Sequence, residues 1–522
     1  MSTGAPDNGH IHLSSPQGRW ILATTILASG MALLDGTVVN VALPALGEQL
    51  DAGMAGLQWT VNAYTLTLAG LILLGGSLGD RYGRRKIFLI GVAWFALASA
   101  LCGFAPTIET LIAARALQGI GGALLTPGSL AIIQATFVRA DRPRAVGAWS
   151  GLGGVAAAVG PLLGGWLVET VGWRWVFLLN LPVAAVVMAI AVRHVPESRD
   201  TQAAGRFDVL GTLLAALALT GITYGLIEEG AGLLMILAGV ACGAAFVVVE
   251  IRRSRPLAGA PGGHGVLAGR PNPGRPGGDG VSALVPVGLF RDRVFSAINL
   301  VTLVMYAAMG VVFFLLVVEL QVAAGFSPVA AGSAMLPVTL LMLLLSARAG
   351  EVARRIGPRL PLTAGILLCA AGMLWMSGIG PGSHYLTDVL PPVIVFGLGL
   401  SAAVAPLTAT VLATADERYA GVASGINNAV ARTGGLLAVA AVPPLVGLTG
   451  DAYRDPAAFT AGFGTAMVAS AVLMGASAVI AFTSVRRNVL AEPEAREPEC
   501  HVHCAVTAPP LEPDHCKPLP SR

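Results

Sequence analysis

Two charged residues stand where charge is costly: Asp35, inside Leu34-Asp35-Gly36-Thr37-Val38-Val39-Asn40-Val41-Ala42-Leu43-Pro44, and Arg115, inside Arg115-Ala116-Leu117-Gln118-Gly119-Ile120-Gly121-Gly122. Both lie in stretches of about twenty apolar residues, the length that crosses a hydrocarbon core about 30 Å thick. An ionised side chain at the centre of such a helix costs roughly 2.5–3.5 kcal/mol on insertion scales, so each needs a wet cavity or a partner. Measured from one membrane face at about 1.5 Å per residue, Asp35 lies about 13 Å below Pro44 and Arg115 about 10 Å below Ile108. The matching depths predict that both face one central cavity and couple electrostatically. Burial favours a neutral carboxyl and a nearby guanidinium favours a carboxylate, so an acid in Asp35's position suits a proton carrier. Arg115 keeps its own proton and suits a switch that sets when the acid's proton is released. Gln118 and Gly119 share Arg115's face at i+3 and i+4, offering a donor and room for a ligand.

The rest of the chain supplies helices to hold these groups. Only 12% of residues are charged, against roughly 25% in soluble domains, and 55% are hydrophobic. This excludes a single water-soluble core and predicts an all-α integral membrane protein. Fourteen apolar stretches follow one another, from one centred near Ala32 to one near Ser470. An even count returns the chain to its starting side, and basic residues should then collect in alternate loops. With the leader, the even-numbered loops and the tail on one side, 28 Lys/Arg fall there, against Arg174 and Arg454 on the other and Arg115 and Arg432 within spans. That bias predicts cytoplasmic termini, and a twelve-span reading would scramble it. The leader lacks the basic end, short apolar run and small-residue cleavage site of a secretory signal. Of the six cysteines, Cys102, Cys242 and Cys369 fall in apolar stretches as small packing residues, and no disulfide framework is implied.

Between the second and third stretches runs Gly76-Ser77-Leu78-Gly79-Asp80-Arg81-Tyr82-Gly83-Arg84-Arg85-Lys86, a glycine-bounded basic turn that resembles the loop between spans 2 and 3 of the major facilitator superfamily. The fifth stretch, Gly153-Gly154-Val155-Ala156-Ala157-Ala158-Val159-Gly160-Pro161-Leu162-Leu163-Gly164-Gly165, carries small residues at 153, 157, 160 and 164 on one stripe. Such a stripe admits another helix closely, while Pro161 removes a backbone donor and bends the rod. It resembles the antiporter signature Gly-x-x-x-Gly-Pro-x-x-Gly-Gly of exporters in that superfamily, with Ala156 in place of the first glycine. With the first-span motif and Trp173-Arg174-Trp175-Val176-Phe177-Leu178-Leu179-Asn180-Leu181-Pro182, the chain from Trp20 to Arg487 looks like the fourteen-span drug:proton antiporter family.

The resemblance implies a major facilitator fold of two six-helix bundles plus an inserted helix pair. The boundaries read as leader 1–18, first bundle 19–195, inserted pair 196–252, Gly/Pro-rich linker 253–292, second bundle 293–485 and disordered tail 486–522. It also implies that Asp35 and Arg115 are the coupling residues, that Gly76, Asp80, Arg81, Gly83 and Arg84 form a cytoplasmic latch, and that Gly160, Pro161, Gly164 and Gly165 shape the interface between halves. Asp80 would meet a helix N-terminus or an arginine in one of two states, biasing the equilibrium. A worn copy of the latch, Gly350-Glu351-Val352-Ala353-Arg354-Arg355-Ile356-Gly357-Pro358-Arg359, lacks the matching Asp. Control would then rest on the first half.

Other polar residues inside the spans leave alternatives. Asn40 and Asn62 either line the cavity or bond between helices. Glu319, at the outer end of span nine, either attracts cationic cargo or sits wet at the interface. Arg432 lies deep in span thirteen and needs a counter-charge or an anionic cargo group. The tail's Cys500-His501-Val502-His503-Cys504 and His515-Cys516 match no finger spacing, so no metal is expected. Neither of the only lysines, Lys86 and Lys517, precedes Ser or Thr, which excludes the usual phosphate loop. No His-Glu-x-x-His stretch appears, and an enzyme is not expected.

The function expected is proton-driven export of hydrophobic or amphipathic, often cationic, drugs across the cell membrane by a monomer, with no cofactor and no nucleic-acid partner. A dedicated exporter of one endogenous compound is the nearest alternative. A passive channel or non-transporting receptor is further off.

Overall fold

The computed structural model describes residues 11–199, 208–228, 230, 232–254, 285–414 and 420–490. Most of the Gly/Pro-rich linker and the Cys/His-bearing tail fall outside them. The described chain forms fourteen long helices in sequence. They are α1 Pro16–Gln49, α2 Met54–Tyr82, α3 Arg84–Gly103, α4 Ile108–Thr136, α5 Arg142–Thr170, α6 Arg174–His194 and α7 Val209–Ile227. Then follow α8 Gly232–Arg253, α9 Arg293–Val322, α10 Pro328–Ile356, α11 Arg359–Met376, α12 Tyr385–Ala413, α13 Ala420–Leu445 and α14 Pro456–Ser484. Thirteen are long and apolar enough to cross a membrane. The fourteenth, α13, has 26 residues, and Asn427, Asn428 and Arg432 dilute its apolar content.

Local chemistry explains several boundaries. Ser15 accepts from the Gly18 amide to open α1, Asp292 caps α9 through the Val294 and Phe295 amides, and Asp455 caps α14 ahead of Pro456. Gly83 alone separates α2 from α3 with φ +112°, a backbone that disfavours any residue bearing a Cβ.

Within the first half α2 and α3 lie against α4, and α1 lies against α5 and α6. Within the second, α9 runs beside α13 and α14, while α12 is flanked by α10 and α11. The inserted pair α7–α8 is a hairpin closed on glycines: a Cβ on Gly221 would sit 2.9 Å from the Gly239 Cα. It rests on α2 and α13, held also by the Trp59 indole, which donates to Glu228 Oε1 at 2.8 Å. The outer rim carries exposed Leu97, Leu233, Leu344 and Val472, the surface expected where lipid replaces water.

Gly119 corrects one expectation. A Cβ there would lie 2.0 Å from Thr67 Oγ1 and 2.3 Å from the Tyr64 carbonyl, so this glycine serves the α2–α4 crossing and leaves no room for a ligand. The Thr67 hydroxyl donates across the same crossing to the Ala116 carbonyl at 2.8 Å. Gly119→Ala is therefore expected to cost about 1–3 kcal/mol by overpacking against backbone, measured as a lower Tm in detergent.

Candidate coupling and translocation site

Asp35 on α1 and Arg115 on α4 meet directly. Arg115 Nη1 donates to Asp35 Oδ2 at 2.5 Å, with both side chains at most 1% exposed. Asp35 Oδ1 accepts from Gln118 Nε2 at 2.8 Å and from Asn180 Nδ2 at 2.9 Å. Arg115 also donates from Nε to the Thr60 carbonyl and from Nη1 to Gln118 Oε1, and its guanidinium lies 4.4 Å from the Tyr64 ring centroid. Ser99 on α3 accepts from both Gln118 and Asn180. Every bond to the Asp35 oxygens comes from an N–H donor, the pattern an ionised carboxylate requires.

The equal depths read from the sequence place the pair correctly, but its surroundings differ from that reading. Instead of lining a cavity between the halves, Asp35 and Arg115 are sealed inside the first half by α1, α2, α3, α4 and α6. Thr60, Ser99 and Asn180 were not singled out as site residues. Asn180 had a usable signal, since it sits in the motif after span five. It lies just past Leu179, where α6 breaks.

The antiporter stripe behaves as its spacing implies. Pro161 has no N–H to offer the Ala157 carbonyl four residues earlier, and Thr37 Oγ1 on α1 donates to that carbonyl instead, at 3.2 Å. A Cβ on Gly160 would lie 2.2 Å from Thr37 Oγ1, and one on Gly164 2.4 Å from Val38 Cγ2, so this face is moulded to α1. The neighbouring face meets the second half. A Cβ on Gly165 would lie 2.4 Å from the Pro328 carbonyl, and one on Gly332 would lie 2.1 Å from the Pro161 carbonyl.

Other links between halves gather at this same end of the bundle, where α1 finishes. Gln58 Nε2 donates to the Val439 and Ala440 carbonyls at 2.7 and 3.0 Å, the Met54 amide donates to the Gly450 carbonyl at 2.8 Å, and Gln321 Nε2 donates to the Val41 carbonyl. Arg454 pairs with Asp51 at 2.7 Å, and this bond holds the Arg454 proton more tightly than usual.

At the opposite end Asp80 and Arg84 of the latch are bonded within their own half. Asp80 pairs with Arg84 at 2.8 Å. The N-terminus of α3 is served by Glu197, which accepts from the Arg85 and Lys86 amides at 3.1 and 3.2 Å and lies against Gly83. Of the two partners expected of Asp80, a helix N-terminus or an arginine, it has the arginine in this conformation, and Glu197 takes the helix N-terminus. The Arg81 guanidinium lies 5.9 Å from the Tyr82 ring centroid. Gly76 is in ordinary contact with Pro127 and is not demanded by packing.

The remaining candidates divide. Asn62 is fully buried with neither amide atom bonded among the described residues, so it lines no open vestibule in this conformation, and Asn40 Oδ1 is likewise buried and unbonded among them. Glu319 is fully buried and accepts from Thr460 Oγ1 at 2.6 Å; packing between α9 and α14 removes it from the wet interface expected of it. Arg432 lies between halves, near Tyr64 of α2 and Tyr306 of α9.

Paired six-helix bundles sealed to each other at one end, the first of them enclosing an acid–guanidinium pair, define a membrane transporter of the alternating-access type. The sequence matches the model of the Major Facilitator Superfamily over residues 25–439, and the chain belongs to that superfamily. Among curated proteins it is 35% identical to the puromycin resistance protein pur8 of Streptomyces alboniger over 81% of each chain. It is 33% identical to the tetracenomycin C resistance and export protein of Streptomyces glaucescens, covering 87% of this chain and 82% of that one. The multidrug resistance protein Stp of Mycobacterium tuberculosis is 32% identical, over 83% and 77% respectively. Among solved structures, a POT family transporter in complex with 5-aminolevulinic acid superposes with a TM-score of 0.67 at 11% identity, over 92% of this chain and 99% of that one, and shares the fold.

Proposed function

We propose that the protein is a proton-coupled antiporter that exports hydrophobic and amphipathic drugs across the cytoplasmic membrane. Both termini are cytoplasmic, the working unit is a monomer, and the proton gradient drives it without a cofactor. Drug and antibiotic resistance and export proteins over four-fifths of the chain support the cargo class. One observation carries the coupling: a fully enclosed Asp35 whose bonded partners are all donors, one of them a guanidinium.

By the basic-loop bias, the sealed end of the bundle is the outer face, so this conformation opens inward. An Asp35 held by Arg115, Gln118 and Asn180 has released its proton and must break that cluster to take another. Separation of the halves at the Gly165–Pro328 seam gives outside protons a route to α1, and protonation of Asp35 frees Arg115. Return to the inward-facing form re-forms the pair and expels the proton to the cytoplasm. One proton crossing 100 mV supplies about 2.3 kcal/mol, roughly a fifty-fold concentration ratio.

Proteoliposomes holding the protein, given a pH gradient of either sign, are expected to accumulate an amphipathic dye only in the sense opposite to proton flow. Addition of a protonophore is expected to dissipate the dye gradient, and its persistence would rule out proton coupling. Relatives named for a single antibiotic also favour a second reading, a dedicated exporter of one compound. A panel of unrelated dyes and drugs separates the two, because the dedicated exporter moves few of them.

A further inference from the structure

A half-buried cation without a counter-ion among the described residues sits between the halves. Arg432 is on α13, which reaches its depth because Gly434 lets α13 close on α9: a Cβ there would lie 2.4 Å from the Leu303 carbonyl. Among the described residues Arg432 makes no ion pair or hydrogen bond, and its Nε is buried and unbonded. The groups close enough to act on its charge are two phenols, Tyr64 from the first half and Tyr306 from the second; no carboxylate is among them. Tyr64 spends its hydroxyl on the Ala32 carbonyl at 3.3 Å, and Tyr306 has no hydrogen-bond partner among the described residues.

Two fully buried carboxylates of the spans are committed elsewhere. Asp35 is saturated by Arg115, Gln118 and Asn180, and Glu319 is bonded to Thr460. A guanidinium remains charged at any physiological pH, and an unpaired one inside a membrane protein is costly. A site with one fixed positive charge, an unused phenol beside it and a second tyrosine nearby from the other half is complementary to an anionic oxygen group on an apolar body.

We infer that Arg432, with Tyr306 and Tyr64, forms a cargo subsite for the carboxylate or other anionic oxygen group of an amphipathic compound. This rests on the exporter reading above and extends its cargo, adding acids to the cationic compounds expected from the sequence. A bound anion would touch both halves at once, so the same contact that recognises it also neutralises Arg432 while the halves rock.

The test compares 1-pyrenebutyrate with 1-pyrenebutanol, one apolar body with and without the charge. Binding is measured by fluorescence on the full-length protein in nanodiscs of phosphatidylcholine and, separately, of phosphatidylglycerol. The wild type is expected to prefer the butyrate by about tenfold or more, the range of a charge-assisted hydrogen bond. Arg432→Gln is expected to erase that preference through loss of butyrate affinity, and Arg432→Lys to restore part of it.

Equal preference in wild type and Arg432→Gln overturns the proposal, as does failure of the wild type to bind either compound. If phosphatidylglycerol abolishes a preference seen in phosphatidylcholine, lipid phosphate is the occupant and the cargo assignment falls. Because the readout is binding, it is independent of coupling. A wild type that discriminates the two compounds yet cannot accumulate either against a gradient would refute the exporter reading and leave the subsite standing.

Discussion

Asp35→Asn is expected to abolish uphill export while leaving downhill exchange of dye in place. The amide keeps the shape of the carboxyl and one oxygen for Gln118 or Arg115, but it cannot carry a proton. The roughly fifty-fold concentration ratio that one proton crossing 100 mV sustains should fall to about one. The substitution also leaves Arg115 buried and without its anion, which on its own costs about 3–5 kcal/mol. A protein that merely failed to fold would mimic the loss. The double variant Asp35→Asn/Arg115→Gln removes both charges together, so it is expected to recover much of the thermal stability and none of the uphill transport. Dye accumulation at the wild-type ratio in either variant would show that the proton is carried elsewhere.

Gly165→Ala is expected to shift the protein out of the conformation described here. The added methyl would lie 2.4 Å from the Pro328 carbonyl oxygen and 2.7 Å from the Val329 Cα, and both are backbone atoms with no rotamer by which to move aside. The first half must retreat from α10, and that retreat is what opening of the sealed end requires. Overpacking of about 1–3 kcal/mol acting on one of two conformations corresponds to about a 5–150-fold change in their ratio. Asp51 and Arg454 are paired across the same end at 2.7 Å, so cysteines at these two positions report its closure. Cross-linking of Asp51→Cys with Arg454→Cys should slow at least about fivefold on adding Gly165→Ala, in line with the lower end of that range. An unchanged rate would mean that the seam absorbs a methyl group, and Gly165 would lose its role in closure. Gly160→Ala makes a useful contrast, because its methyl would strike Thr37 of α1, within the same half.

The worn second latch fits this asymmetry between halves. Glu351 pairs with Arg354 and Arg355 on its own helix, a local contact at the surface with little leverage on another element. Gly357, with φ +86°, turns the chain there against the Arg487 carbonyl. The first half instead has Asp80 on Arg84 and Glu197 on the start of α3, so its loop is tied to both α2 and the segment after α6.

Much of this was open to reading in one dimension because a bilayer imposes one-dimensional rules. Span length, the number of crossings and the alternation of basic loops depend on the hydrocarbon thickness and on charge transfer, each a property of a segment more than of its neighbours. That is why fourteen helices were countable, including α13 despite its two asparagines and its arginine. It is also why Asp35 and Arg115 could be placed at one level. Glycine spacing and Pro161 likewise signalled close helix approach, since small side chains have the same consequence wherever the partner lies.

Tertiary packing decided what no linear pattern contains, namely the identity of the partner. Whether Asp35 faces water or Asn180, whether Gly119 leaves space or takes up Thr67, and whether Glu319 is wet or bonded to Thr460 depend on rotation and tilt of whole helices. Those are set by many weak contacts summed across the interface. Segment length and composition set the level expected of each charge along its helix; only the folded arrangement determined which charges are neutralised there and which, as with Arg432, have no counter-ion among the described residues.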